Sequence, residues 1–166
     1  MLDQKKNIIL IIIFFIILLS IISALIIEHA LGHQPCSLCL YERIPYFLSA
    51  LLIIKIFFFK KYEKITLFIL FLVFMTSALL AFYHFGIEQG FFDESFVCNV
   101  ESQLKILSKE NLLKELNKNI VSCKDVTFRI LGLSLAGMNT ILSVVLSIIF
   151  LKLFFNYGSS STSQYK

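Results

Sequence analysis

Four cysteines carry the chemistry that this sequence could do: Cys36 and Cys39 in a C-x-x-C spacing, and Cys98 and Cys123, 25 residues apart. A bridge across Cys36-Ser37-Leu38-Cys39 closes a very small ring and restrains little of the unfolded chain, so it is a poor structural staple. It is a good redox couple, because two sulfurs one turn apart exchange a bond with almost no movement. A bridge between Cys98 and Cys123 would close a longer loop, worth about 3 kcal/mol if loop-closure entropy dominates, and taken alone it reads as structural. Attachment of c-type haem needs a histidine directly after the second cysteine, and Leu40 stands there. Zinc held by four thiolates usually takes two C-x-x-C knuckles, which Cys98 and Cys123 do not form. No metal site is expected from this pattern.

The elements that must position these sulfurs are membrane spans. Hydrophobic residues make up 58% of the 166-residue chain and charged residues 16%, with a mean hydropathy of +0.85, which excludes a soluble globule. The apolar residues fall in four blocks, about 8–27, 40–59, 65–85 and 130–155, each long enough to cross roughly 30 Å of hydrocarbon. The first runs into Glu28 and His29 with no small-residue cleavage site, so it reads as a retained span rather than a signal peptide. In the fourth, Gly132 and Ala136 are four apart, with Ser134 and Gly137 close by, a spacing that lets a neighbouring helix approach. The fold expected is an all-α integral membrane protein, a single four-helix bundle.

Lys5, Lys6 and the lysines at 60, 61 and 64 mark the cytoplasmic side, which places both termini and the loop 60–64 inside. The loops about 28–39 and 86–129 then lie on the far side, and the span count puts all four cysteines there, in a periplasm or similar oxidising space where disulfides persist. The segment 86–129 carries six Lys/Arg against this rule, interleaved with seven acids. Within it Leu104, Leu107, Leu113, Leu116 and Ile120 recur at helical steps among lysines, the pattern of an amphipathic helix lying in the interface. The tail 156–166 is expected to be disordered. The net charge of +4 comes from these tufts, so nucleic-acid binding is not expected.

Arg43 stands four residues after Cys39. If the second helix has begun by then, guanidinium and sulfur share a face about one turn apart, and the cation favours Cys39 as thiolate. Pro35 as first helical residue would also put both cysteines on a helix N-terminus, whereas Pro45 as the start would leave them in a loop. On position alone Arg43 serves equally well as a headgroup anchor. A dithiol at the membrane surface must pass on two electrons, and with no haem, flavin or iron–sulfur motif in the chain the nearest acceptor is a quinone in the bilayer. Tyr46, Phe47, Phe82, Tyr83 and His84 could line its pocket, although in a chain with 18 Phe such neighbours are expected from packing.

Pro35-Cys36-Ser37-Leu38-Cys39-Leu40-Tyr41-Glu42-Arg43 closely resembles the P-C-x-L-C-x-Y-E-R signature of the DsbB family, with its DsbI-type paralogues. Tyr83 to Gly90 resembles that family's approach to its third cysteine, and Leu131 to Asn139 the start of its fourth span, with Met138 where Trp is more usual. The resemblance implies a bacterial inner-membrane thiol:quinone oxidoreductase that reoxidises a periplasmic DsbA-like protein, using ubiquinone or menaquinone. It implies that Cys98 is attacked by the reduced partner, that Cys123 attacks Cys36, and that Cys39 faces the quinone assisted by Arg43, with His84 as a second quinone contact. Two other readings stand beside it. A vitamin K epoxide reductase relative also has four helices and cysteine pairs, but its C-x-x-C lies late in the chain; a non-catalytic scaffold would keep two permanent structural disulfides.

Overall fold

The computed structural model describes residues 2–93, 98, 122–124, 129–130 and 132–161. Helix α1 is Leu2–His29, α2 is Ser37–Phe58, a 3-10 turn Lys60–Tyr62 leads into α3, Glu63–Glu88, and α4 is Leu135–Ser161. Four stretches are long and apolar enough to cross a membrane: Gln4–His29, Ser37–Phe58, Lys60–Glu88 (the 3-10 turn with α3) and Leu135–Asn156. The protein is therefore the all-α, four-helix membrane bundle that the apolar blocks imply. The amphipathic pattern from Leu104 to Ile120 lies outside the described residues.

In lipid every backbone polar group must be satisfied within its own segment, so these sequences form helices whatever their individual propensities. Leu10, Ile13, Ile17 and Ile21 of α1 are buried at three- and four-residue steps, while Phe15, Leu19, Ile22 and Ile26 are exposed. Side chains apolar on every face mean that the outward side meets hydrocarbon rather than water. In the middle of the bundle Phe74 of α3 stacks on Phe150 of α4 at 5.5 Å and meets the Tyr46 ring of α2 edge-on at 5.7 Å. Lys6 pairs with the buried Glu63 at 2.6 Å, joining the start of α1 to the start of α3. The basic tufts at 5–6 and 60–64 thus share one end of the bundle, and the cysteines lie at the other.

The fourth helix starts later than the apolar block suggested. A short antiparallel hairpin, β1 (Arg129–Ile130) paired with β2 (Leu133–Ser134), comes first, turning at Gly132 with φ +84°. That left-handed conformation suits glycine, so Gly132 is a turn residue and not part of a helical small-residue face. The close approach of α3 and α4 falls instead at Gly137, where a Cβ would lie 3.2 Å from the Phe85 ring. At its other end α4 continues through Ser161, into the stretch read from sequence as a polar tail.

Helix α3 ends in a Schellman motif. Gly90, at φ +78°, donates to the Ile87 carbonyl at 3.0 Å, and Phe91 donates to the Gly86 carbonyl at 2.8 Å. The chain then folds Phe92 back over Gly86, where an added Cβ would meet the ring at 2.2 Å, and Phe92 stacks on Tyr83 at 5.6 Å. Phe91 and Phe92 are in this way folded back along the last turns of α3.

Candidate functional site

The site is built on the first turn of α2. Cys36 is its N-cap, with extended backbone (φ −71°, ψ 168°), and its Sγ accepts the Cys39 backbone N–H at 3.3 Å. Neither proline opens the helix: Pro35 precedes the cap, and Pro45 lies inside α2. Cys36 and Cys39 are free thiols with sulfurs 2.8 Å apart, and His84 Nε2 from α3 is 3.4 Å from Cys36 Sγ. The hydrogen bond from the Cys39 thiol, opposed by burial and reinforced by the His84 ring, holds the Cys36 thiol well below the usual thiol range. Sequence spacing pointed to Cys39 as the anion, beside Arg43. In the structure the groups that favour an anion converge on Cys36, because an N-cap side chain faces the unpaired N–H groups of the first turn. Arg43, one turn further on, is turned towards α1, where it donates to Glu28 Oε2 at 2.5 Å.

From Cys36 a continuous polar chain runs into the apolar bundle. His84 Nδ1 donates to Glu42 Oε1 at 2.7 Å, and Asn139 Nδ2 of α4 donates to Glu42 Oε2 at 2.6 Å. Tyr46 donates its hydroxyl proton to Asn139 Oδ1 and lies 3.3 Å from Ser143 Oγ, which is 3.1 Å from Ser77 Oγ. Three helices therefore meet through buried side-chain hydrogen bonds, with Glu42 7% and His84 2% exposed. The carboxylate at Nδ1 sets the ring orientation and leaves Nε2 facing the dithiol. Glu88, one turn beyond His84, brings Oε1 to 3.8 Å from Nε2, while its buried Oε2 makes no hydrogen bond among the described residues.

Cys98 and Cys123 are joined as a disulfide with Cα atoms 5.4 Å apart. Both are buried in one cluster with Cys36, Leu38 and Ile87, so the two cysteine pairs pack together at the end of the bundle. Beneath them is a cavity of about 470 Å³ whose walls include Cys36, Cys39, Arg43, His84 and Cys123. It also reaches Leu19 of α1 and Met138 of α4, which are 65% and 41% exposed on the outer surface. Helices α1 and α4, which both contribute to its walls, touch each other only sparsely. Its size and largely apolar walls, with a few convergent polar groups, suit a small lipophilic molecule.

A bundle that buries two cysteine pairs at one end has known relatives. The family of disulfide bond formation protein DsbB matches residues 6–153, nearly the whole chain and all four cysteines. The chain belongs to the DsbB family. A protein of Rickettsia prowazekii (strain Madrid E), itself uncharacterized, is 30% identical over 146 residues, covering 86% of this chain and 83% of that one. No solved structure matches. DsbB-family membership makes disulfide bond formation in a membrane the function at the coarsest level.

For a DsbB-family member, the residues named from sequence divide by environment. Cys36, Cys39, Cys123, Arg43, His84 and Tyr46 line the cavity, and Cys98 reaches it only through its bridge to Cys123. Phe47 and Phe82 are more than half exposed on the outside of the bundle, and Tyr83 is taken up by its stack on Phe92. Glu42, Glu88 and Asn139 received no role in the sequence reading. An ionisable residue inside a span is a functional signal in itself, and Glu42, three residues into the second apolar block, carries it.

Proposed function

We propose that the protein is a thiol:quinone oxidoreductase of the bacterial inner membrane, with both termini cytoplasmic and the cysteines periplasmic, that reoxidises a DsbA-like dithiol protein. The observation that carries this reading is the largely apolar cavity lined by Cys36 and Cys39 together with Cys123 of the second pair. The order of steps follows thiol–disulfide exchange. A partner thiolate attacks Cys98, forming a mixed disulfide and releasing Cys123. Cys123 attacks Cys36 of the oxidised Cys36–Cys39 pair, freeing Cys39, and the partner's second thiol then resolves the mixed disulfide at Cys98. Cys98 then attacks Cys123 of the Cys36–Cys123 disulfide, restoring the Cys98–Cys123 bridge and releasing Cys36, and the Cys36–Cys39 dithiol at the cavity closes to a disulfide as two electrons and two protons leave. The quinone would supply the acceptor for both and leave as quinol. Arg43 and His84 are the polar groups that would hold and orient it, and the surrounding apolar wall would exclude water.

The test is quinone reduction by the purified protein with a reduced thioredoxin-fold donor, run with wild type, Arg43→Ala and Glu28→Gln. If Arg43 binds the acceptor, its loss raises the quinone concentration for half-maximal turnover by roughly tenfold, the worth of about 1.4 kcal/mol. Glu28→Gln keeps the guanidinium and frees it from its partner, so its quinone curve stays near that of wild type. Matching losses in both variants would mean that Arg43 only ties α1 to α2, and no quinone reduction by wild type would overturn the activity. Sidedness has its own check: in intact cells a membrane-impermeant maleimide should label Cys98 after reduction, and labelling only after the membrane is opened would reverse the orientation.

A further inference from the structure

We propose that the reduced site is also a metal site: Cys36 Sγ, Cys39 Sγ, His84 Nε2 and Glu88 form a four-donor cage for zinc that opens when the dithiol is oxidised. The two sulfurs and the ring nitrogen lie within 4.8 Å of one another, and Glu88 Oε1 lies 3.8 Å from that nitrogen. Bonds of about 2.3 Å to sulfur and 2.0–2.1 Å to nitrogen or oxygen give a tetrahedron with edges of roughly 3.3–3.8 Å. The His84–Cys36 distance of 3.4 Å already matches a nitrogen–sulfur edge, and the His84–Glu88 distance of 3.8 Å must shorten by about 0.5 Å to make a nitrogen–oxygen one. The sulfurs, at 2.8 Å, must separate by about 1 Å, and Glu88, which lies outside the three-atom cluster, must turn its carboxylate towards them to become the fourth donor.

Two further observations point to a cation there. Glu88 Oε2 is a buried carboxylate oxygen without a hydrogen bond among the described residues, and a metal ion would satisfy its carboxylate. His84 has the outer support usual for a metal-bound imidazole: Nδ1 donates to Glu42, whose other oxygen is held by Asn139, so Nε2 faces the sulfurs and offers its lone pair to a metal once the proton it shares with Cys36 is displaced. Two thiols, an imidazole and one carboxylate select a thiophilic ion, and zinc keeps tetrahedral geometry without redox chemistry of its own. Binding releases the protons held among the two sulfurs and His84 Nε2. Oxidation removes both thiolates as a disulfide, two electrons passing to the acceptor, and leaves His84 and Glu88, too few donors to keep the ion. Zinc would therefore hold the reduced state and block electron exit until it is withdrawn.

Cobalt(II) reports such a site by colour. The purified full-length protein is reduced with a phosphine, freed of excess reductant and titrated with Co²⁺, alongside a Cys98→Ala/Cys123→Ala variant that has only the cavity pair. One equivalent should give the intense visible bands of tetrahedral cobalt and a sulfur-to-cobalt charge-transfer band in both proteins, bleached by equimolar Zn²⁺ and absent after oxidation. Glu88→Gln and Glu42→Gln should each weaken binding about tenfold or more, as direct and outer-support residues do. Weak octahedral bands, the same bands in oxidised protein, or no change of affinity in Glu88→Gln would overturn the cage. The reading is metal absorption rather than turnover, so it stands or falls separately from quinone reduction.

Discussion

Cys123→Ser should abolish turnover and leave Cys98 able to form a covalent adduct that it cannot pass on. In the wild-type protein Cys98 and Cys123 are joined and buried against Cys36, so the thiol released when Cys98 is attacked is already beside its next target. Without Cys123 there is no route from Cys98 to the cavity, and turnover falls by on the order of a thousandfold or more, the scale of losing a nucleophile. Mixed with a partner that keeps one cysteine, carried as a mixed disulfide with a small thiol, Cys98 should attack the partner's sulfur, expel the small thiol and give a protein–protein mixed disulfide that survives non-reducing electrophoresis and disappears with reductant. The bridge also stabilises the fold, by about 3 kcal/mol on loop-closure entropy, so lost activity alone is ambiguous. Cys98→Ser/Cys123→Ser lacks the bridge equally and has no thiol to form the adduct. An adduct in the single variant but not the double assigns the relay. Normal turnover in Cys123→Ser would make the pair structural.

The bundle was legible because the bilayer leaves a segment of some 20 apolar residues almost no alternative to a helix, and the four blocks could be counted directly. Where that rule stops, the reading was less secure. Gly132 looked like part of a helical face because its spacing to Ala136 is right, and only the hairpin pairing of Arg129 with Ser134 takes it out of the helix. The cysteine pairs were legible from spacing and span count. The favoured anion was not, because Cys36 gains its contacts from a cap geometry and from a histidine 48 residues away. Glu42 joins His84 and Asn139 across three helices, and its partners become visible only when those helices are packed.

Glu42 is therefore where a single change should disturb both fold and chemistry. Glu42→Ala leaves His84 Nδ1 and Asn139 Nδ2 as buried donors without an acceptor, at about 1–3 kcal/mol each, so the melting temperature in detergent should drop clearly. Glu42→Gln is the sharper experiment. Its amide oxygen can still accept from His84, while its amide nitrogen meets the Asn139 donor, so one bond is lost and the charge with it. Loss of the carboxylate removes the group that orients His84, and with it part of the support for the Cys36 thiolate. Turnover should fall by roughly tenfold to a hundredfold, one to two units of differential stabilisation, with a smaller loss of stability than in Glu42→Ala. A double-mutant cycle with Asn139→Ala separates the two effects. If Asn139 acts by holding Glu42, its substitution costs little more once Glu42 is already glutamine. If the costs add, Asn139 stabilises the bundle independently through Tyr46, and Glu42 orients His84 unaided. Wild-type turnover in Glu42→Gln would leave the polar chain as packing only and remove His84 from the chemistry of the dithiol.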